Sequence, residues 1–296
     1  PGVDLPGVYV YTVPGVAPCT AAIATLTVGV NQAPNAGVNG DTLTCSTGAS
    51  FGLFGLLSGG ATTGGTWTGP GGVHSGMYDP DVDVPGDYVY TRTGLTPCVA
   101  DIAVVTVTEN PVANAGTNGT ISLCSGGTSV ALLSVLGGNP SPTGTWTGPA
   151  PSTASFSGTF VPGVSAPGLY TYTVIGMAPC GNASATVNVS VVQPPNAGTS
   201  SVTTVCDDQQ GFALVERLGG SPPTNGTWTP PPPLVLFNGF FIPGTSPAGV
   251  YTYTVAGTAP CANATATVTV TVNPHANAGN DASLSLCSNG GAQPLF

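Results

Sequence analysis

The chain has 296 residues, of which only 5% are charged, and its formal net charge is −10 because Arg92 and Arg217 are its only lysine or arginine residues. Nucleic acids and anionic membrane surfaces are bound through clustered Lys and Arg side chains, so the composition argues against both as partners. No run of eighteen apolar residues occurs, and we expect no membrane insertion in this segment. Glycine (44) and proline (30) make up a quarter of the chain, which favours frequent turns.

The sequence repeats itself about every eighty residues. Asn-Ala-Gly begins at positions 35, 114, 196 and 277, and Gly-Thr-Trp-Thr begins at 65, 144 and 226. One series of cysteines comprises Cys19, Cys98, Cys180 and Cys261, and a second series follows it at a constant interval at Cys45, Cys124, Cys206 and Cys287. Self-similarity at this period predicts tandem domains rather than one large globule.

The alignment of these motifs predicts five segments. Residues 1–32 form a partial repeat (a C-terminal half), 33–110, 111–193 and 194–272 are complete repeats, and 273–296 is a partial repeat (an N-terminal half). Pro1 aligns with Pro162 and Phe296 with Leu133, so the two partial repeats together lack the counterpart of residues 134–161. We therefore expect the chain to be a section of a longer array.

Within each repeat the apolar pattern is that of β-structure. Segments 102–108, 185–191 and 265–272 alternate apolar and small polar residues with the period of two expected for a strand with one buried face. The short apolar runs 53–57 and 130–136 are predicted to be buried strands. With turns every eight to twelve residues, the fold class is all-β: a tandem array of Ig-like antiparallel β-sandwich domains, each of roughly seven strands.

The regular cysteines predict disulfides formed in an oxidising compartment, and hence an extracellular protein. Two pairings fit the spacing. Pairing within each repeat gives Cys45–Cys98, Cys124–Cys180 and Cys206–Cys261, which lets each repeat be stabilised by itself and leaves Cys19 and Cys287 to outside partners. Pairing across each joint gives Cys19–Cys45, Cys98–Cys124, Cys180–Cys206 and Cys261–Cys287.

The three tryptophans admit a structural and a binding interpretation. Trp67, Trp146 and Trp228 each lie in the middle strand of a repeat, as the core tryptophan of Ig-like sandwiches does. Exposed tryptophan rings would instead stack on sugars, which would make the chain a polysaccharide-binding module. We favour the core position.

One loop of the first complete repeat is unusually acidic. Asp79, Asp81, Asp83 and Asp87 could bind calcium through carboxylate oxygens, although the loop lacks the glycine and glutamate of a standard calcium loop. No histidine recurs beside a plausible nucleophile, and we predict no enzymatic activity and no other cofactor.

The succession of Asn-Ala-Gly, Leu-Cys-Ser-Gly-Gly, Gly-Thr-Trp-Thr-Gly-Pro, Tyr-Thr-Tyr-Thr-Val and Ala-Pro-Cys resembles the Ig-like or PKD-like repeats of very large Bacteroidota surface proteins. The resemblance implies export by the type IX secretion system and a role in a cell-surface adhesin or extracellular filament. It also implies O-glycosylation at Thr42, because Asp41-Thr42-Leu43 is similar to the short motif used in that phylum.

The predicted function is an extracellular structural stalk of a repetitive surface adhesin or filament, which gives reach and attachment. Its expected partners are neighbouring repeats or other chains of the same protein, with surface polysaccharide as a further partner. One alternative is a filament subunit that polymerises by strand exchange, and the other is the polysaccharide-binding module.

Overall fold

The computed structural model describes residues 5–151, 154–233, 235–290 and 294. Apart from three 3₁₀ helices of four residues each, the regular structure of these residues is β-strand. They form two compact units. The first comprises the described residues up to Gly119 with Ala131–Gly158 and Leu169–Val187, and the second comprises Thr120–Val130, Thr159–Gly168 and the described residues from Asn188 onward.

Within the repeats that the sequence predicts, strands follow one another in a similar order. The N-terminal hairpin consists of β1 (Gly7–Val13) and β2 (Ala22–Val28). The first complete repeat contains β3 (Gly40–Cys45), β4 (Phe51–Gly52), β5 (Thr66–Gly69), β6 (Gly72–His74), β7 (Met77–Tyr78), β8 (Gly86–Arg92) and β9 (Asp101–Asn110). The second contains β10 (Gly119–Cys124), β11 (Val130–Ala131), β12 (Thr145–Thr147), β13 (Ser155–Phe156), β14 (Thr159–Phe160), β15 (Gly168–Val174) and β16 (Ala183–Val192). The third contains β17 (Ser201–Cys206), β18 (Phe212–Ala213), β19 (Thr227–Thr229), β20 (Phe240–Phe241), β21 (Gly249–Val255) and β22 (Ala264–Asn273).

The main sheet of the first complete repeat has the order β3-β9-β8-β5-β6, and β4 pairs with β7 in a separate two-stranded sheet. Strands β5, β6, β8 and β9 pair antiparallel, but β3 runs parallel to β9. The third repeat has the same arrangement, with β17 parallel to β22 in the order β17-β22-β21-β19. The main sheet is therefore mixed rather than wholly antiparallel, because the first strand of each of these repeats pairs parallel to the last.

Alternation along the long strands builds the core. In β9, Ala103, Val105 and Val107 are buried, and they face Tyr88 and Tyr90 of β8, which are also buried. The alternating segments 102–108, 185–191 and 265–272 lie within β9, β16 and β22, which confirms the strand predictions.

The predicted strands at 53–57 and 130–136 are wrong. In the structure, two-residue strands lead into 3₁₀ helices at Leu53–Leu56 and Leu132–Val135. Leu53 is buried and Leu56 packs against the same core. Residues three apart lie on one side of a 3₁₀ helix, so a short apolar run satisfies this geometry as well as that of a strand.

The fold class is all-β, with Ig-like sandwich repeats in tandem. Among the described residues, no helix is long and apolar enough to cross a bilayer.

Candidate functional site: the joints between repeats

The last strand of a repeat ends beside the cysteine of its first strand. In the first complete repeat, the parallel register places Cys45 opposite Asn110, and the backbone N–H of Ser46 donates to the Asn110 carbonyl at 3.0 Å. Because the chain passes from Asn110 into the second repeat, this pairing holds Cys45 at the joint.

The final hairpin of the following repeat reaches the same joint. Its turn is closed by a hydrogen bond from the backbone N–H of Cys180 to the carbonyl of Met177, at 2.8 Å. The side-chain amide of Asn110 donates to the carbonyl of Ala178 at 2.7 Å, and Cys180 Sγ lies 3.2 Å from the Asn110 carbonyl oxygen.

These contacts bring Cys45 and Cys180 together in a disulfide with a Cα–Cα distance of 5.0 Å. A second disulfide joins Cys124 to Cys261, again with a Cα–Cα distance of 5.0 Å, and Cys261 Sγ lies 3.3 Å from the carbonyl oxygen of Val192. In both cases the first-strand cysteine of one repeat is bonded to the last-hairpin cysteine of the next.

Neither pairing derived from the sequence is correct. Pairing within a repeat fails because Cys45 lies at the far end of β9 whereas Cys98 precedes that strand, and a strand of ten residues spans about 30 Å. Pairing across a joint, such as Cys19–Cys45, is not formed either. The constant interval between the two cysteine series reflects the combined length of a last strand, a joint and a first strand.

Four of the eight predicted disulfide cysteines are unpaired in the structure, namely Cys19, Cys98, Cys206 and Cys287. Under the observed rule, each would need a partner in a repeat that flanks those containing the two disulfides. Their participation in disulfides remains a prediction.

The acidic loop has a structural explanation. The Asp83 carboxylate accepts a hydrogen bond from the backbone N–H of Asp79 at 2.8 Å and lies 3.2 Å from His74 Nε2. The backbone hydrogen bond from Asp79, followed by the hydrogen bond and charge of His74, lowers the pKa of Asp83. In the other repeats, Ser165 and Ser246 occupy the position of Asp83, and their hydroxyls accept the equivalent N–H bonds at 3.1 and 3.0 Å.

The four aspartates do not converge on one point. Asp79 Oδ1 accepts from the backbone N–H of Asp81 at 3.1 Å, whereas Asp87 Oδ1 accepts from Thr106 Oγ1 at 2.7 Å on the neighbouring strand. No group of three or more His, Cys, Asp or Glu side chains within the described ranges is arranged to hold a metal ion. The structure therefore does not assemble the predicted calcium site.

The tryptophans face the interior. Trp67 and Trp146 are each 7% exposed, and Trp228 is partly buried against the core of the third repeat. The Trp67 ring lies 5.0 Å from that of Tyr90, and Gly76 adopts a φ of +85° beneath it, where a Cβ would lie 2.7 Å from the ring. A ring enclosed in this way has no free face for a sugar.

Thr42 lies in β3, where it is half-buried and its carbonyl accepts a hydrogen bond from Thr108 Oγ1 at 3.2 Å. Its glycosylation remains a prediction.

The role of the asparagine at each joint was not predicted from the sequence. Asn31 has the same contact as Asn110, because its side-chain amide donates to the carbonyl of Thr96 at 2.8 Å. Its position at the end of a last strand, one repeat before Asn110, was the available signal.

No family model matches the chain, and no curated protein matches it either. Solved structures resemble it weakly. The I-band fragment I67–I69 of titin matches with a TM-score of 0.39 and 15% identity, over 82% of this chain and 98% of the other. Drosophila OTK extracellular domains 3–5 match with a TM-score of 0.32 and 14% identity, over 81% and 97%. Sidekick-1 immunoglobulin domains 1–4 match with a TM-score of 0.31 and 11% identity, over 86% and 79%. At these TM-scores, the likenesses carry no argument about function.

Proposed function

We propose that this chain is a segment of an extracellular structural array, the stalk of a surface adhesin or filament, in which disulfides carry tension from one repeat to the next. The observation that carries the proposal is that Cys45–Cys180 and Cys124–Cys261 each bond a repeat to its successor and overlap along the chain. Because each bond joins one repeat covalently to the next, an array that is pulled from its ends transmits the load through them.

The rings that the disulfides close are long, with sequence separations of 135 and 137 residues. In the chain-entropy model, each such ring stabilises the folded state by about 5 kcal/mol. The joint is further held by a side-chain hydrogen bond, which the Asn110 amide donates to the Ala178 carbonyl of the next repeat. Two successive repeats are therefore held together by a covalent bond and by a hydrogen bond across the joint.

The composition agrees with an exposed location. Disulfides persist in oxidising compartments, and the low content of Lys and Arg leaves trypsin-like proteases only Arg92 and Arg217 as cleavage points. The resemblance to Bacteroidota surface repeats also supports an extracellular location, and from it we propose export by type IX secretion.

The first test is the bond pattern of the 296-residue chain itself, refolded in oxidised and reduced glutathione. After free thiols are alkylated, cyanogen bromide and trypsin together cut at Met77, Met177, Arg92 and Arg217. We expect two linked pairs, 1–77 with 178–217 and 93–177 with 218–296, and 78–92 alone. Pairing within repeats would link four fragments in one product, and pairing across joints would link none.

The second test addresses location and role. Antibodies against the chain should label intact cells, and cells carrying the Cys45→Ser and Cys124→Ser substitutions should detach from a surface at lower shear than the parent. Val73→Ser is the matched control, because Val73 is 93% exposed and forms no part of either disulfide. Labelling only after lysis would refute the extracellular location, and equal detachment would refute the mechanical role.

A further inference from the structure

The N-terminal hairpin β1–β2 has the same conformation as the β8–β9 hairpin, but no other strand or helix among the described residues packs against its apolar face. Tyr9 is opposite Leu26 in β1–β2, as Tyr88 is opposite Val105 in β8–β9. The Tyr9 hydroxyl donates to the carbonyl of Leu5 at 2.8 Å, as the Tyr88 hydroxyl donates to the carbonyl four residues before it at the same distance. The hairpin therefore already has the local conformation of a complete repeat.

Its apolar face is nevertheless open. Tyr11 is 70% exposed and Leu26 is 65% exposed, whereas their counterparts Tyr90 and Val105 are 2% and 0% exposed. In the complete repeat, this face is covered by the Trp67 strand, by the 3₁₀ helix and by Tyr78. A contiguous apolar face of this kind marks an interaction surface.

The edge of β2 is also unpaired. β2 ends at Val28, whereas its counterpart β9 continues as far as Asn110, which is the equivalent of Asn31. In β9 these last residues pair with β3, and Cys45 is opposite Asn110. By the same register, a parallel strand on β2 would end with its cysteine opposite Asn31.

Cys98 lies at that point. Its Sγ lies 3.7 Å from the Asn31 carbonyl oxygen, and the Asn31 amide donates to the carbonyl of Thr96. Cys180 and Asn110 have these same contacts in the joint where Cys180 is bonded to Cys45. Cys98 thus makes the contacts that a last-hairpin cysteine makes at a joint. The partner that this joint lacks is a first-strand cysteine.

We propose that the open face of β1–β2, the edge of β2 and Cys98 form a docking site for the N-terminal half of another repeat, whose first-strand cysteine bonds to Cys98. The occupant is a segment of the type found at 33–79, with a first strand that ends in cysteine and a Gly-Thr-Trp-Thr strand. The inference rests on the proposed array and names its partner.

The C-terminal segment of a second copy is a poorer occupant. Leu284, Leu286 and Cys287 match the sequence of a first strand and are exposed, so they could add to the edge of β2. However, segment 273–296 has no counterpart of Trp67 or Tyr78, and it would leave Tyr11 and Leu26 uncovered.

The bond forms by thiol–disulfide exchange. Each thiol loses its proton, and the two sulfurs give up two electrons to an external disulfide, which is reduced to two thiols. A disulfide of the glutathione type supplies this oxidant in the test below.

The test extends the full chain by placing a copy of residues 111–161 before Pro1, because Pro162 aligns with Pro1 and the addition completes a repeat. The extended chain is refolded in oxidised and reduced glutathione, its free thiols are alkylated, and its peptides are mapped by mass spectrometry. We expect Cys98 bonded to the added copy of Cys124 and three alkylated cysteines remaining. Changing Cys98 to serine in the extended chain should leave four alkylated cysteines.

A measurement independent of the bond is hydrogen exchange in that serine variant. We expect at least tenfold slower exchange of the β2 amides than in the unextended chain, because the added strand pairs with β2. Unchanged exchange together with a fully alkylated Cys98 would overturn the proposal, as would a bond from Cys98 to Cys19. In the unextended chain, a Cys98–Cys287 bond between two molecules would overturn it in favour of a second copy. None of these outcomes alters the antibody result, so the two proposals fail separately.

Discussion

Stepwise reduction under force should reveal the overlap of the two disulfides. With both bonds intact, the shortest covalent path from Cys45 to Cys261 crosses Cys45–Cys180, follows the backbone between Cys180 and Cys124, and crosses Cys124–Cys261. After Cys45–Cys180 is cleaved, the shortest path follows the longer backbone segment from Cys45 to Cys124. After both bonds are cleaved, it follows the whole backbone from Cys45 to Cys261.

The two cleavages therefore differ greatly in size. At a maximum of about 3.6 Å per residue, the first event releases roughly 25 residues of backbone, about 80–90 Å. The second event releases the full sequence separation of the remaining bond, 137 or 135 residues, which corresponds to about 490 Å. The first step is small and the second is large whichever of the two disulfides is cleaved first. A small step followed by a large one is expected because the two rings share segment 124–180.

The assay is single-molecule stretching of the full chain between its termini, with a dilute thiol reductant added after the repeats have unfolded. A chain with the Cys45→Ser substitution should begin at the intermediate length and show only the large step. Pairing within repeats would give three nearly equal steps of about 200 Å, and pairing across joints would give four equal steps of about 90 Å. Steps of either equal kind would refute the overlap.

Three further results are expected. Asp83→Ala should lower the free energy of unfolding by about 1 kcal/mol, and Asp83→Ser by less, and added calcium should not change thermal unfolding. Because the folded-state pKa of Asp83 is lowered, its contribution to stability should be present near neutral pH and lost as pH falls through that pKa. Gly76→Ala should cost about 1–2 kcal/mol in chemical denaturation because of its positive φ, whereas Gly71→Ala, with open space around its Cα, should change stability by less than about 0.5 kcal/mol. The hydrogen bond and charge of Asp207 raise the pKa of His275, so an NMR titration should give His275 a pKa above that of a free histidine, and Asp207→Asn should remove the increase. A His275 pKa unchanged by Asp207→Asn would contradict the ion pair, whose contribution to stability is lost as pH rises through the folded-state pKa of His275.

Much of the fold follows from local pattern. Alternation at 102–108, 185–191 and 265–272 predicted the long strands, because one face of each is buried. The 3₁₀ helix at Leu53–Leu56 was missed because a short, mostly apolar run fits either conformation.

The joints could not be predicted, because they depend on tertiary structure. Because β3 pairs parallel to β9, Cys45 lies at the opposite end of β9 from the last hairpin of its own repeat. The sequence between the two strands does not indicate whether they pair parallel or antiparallel. The structural role of the acidic loop could not be predicted for a related reason: Asp83 accepts the same backbone hydrogen bond as Ser165, which residue type alone does not show.

The overlap of the two rings also gives the chain tolerance to backbone damage. Any single peptide bond cut between Cys45 and Cys261 lies inside at least one ring, so both fragments stay attached. Cuts after both Arg92 and Arg217 still leave three fragments joined, because Cys180 and Cys124 lie together on the middle one. A nicked molecule on an exposed surface would therefore keep its continuity until its disulfides were reduced.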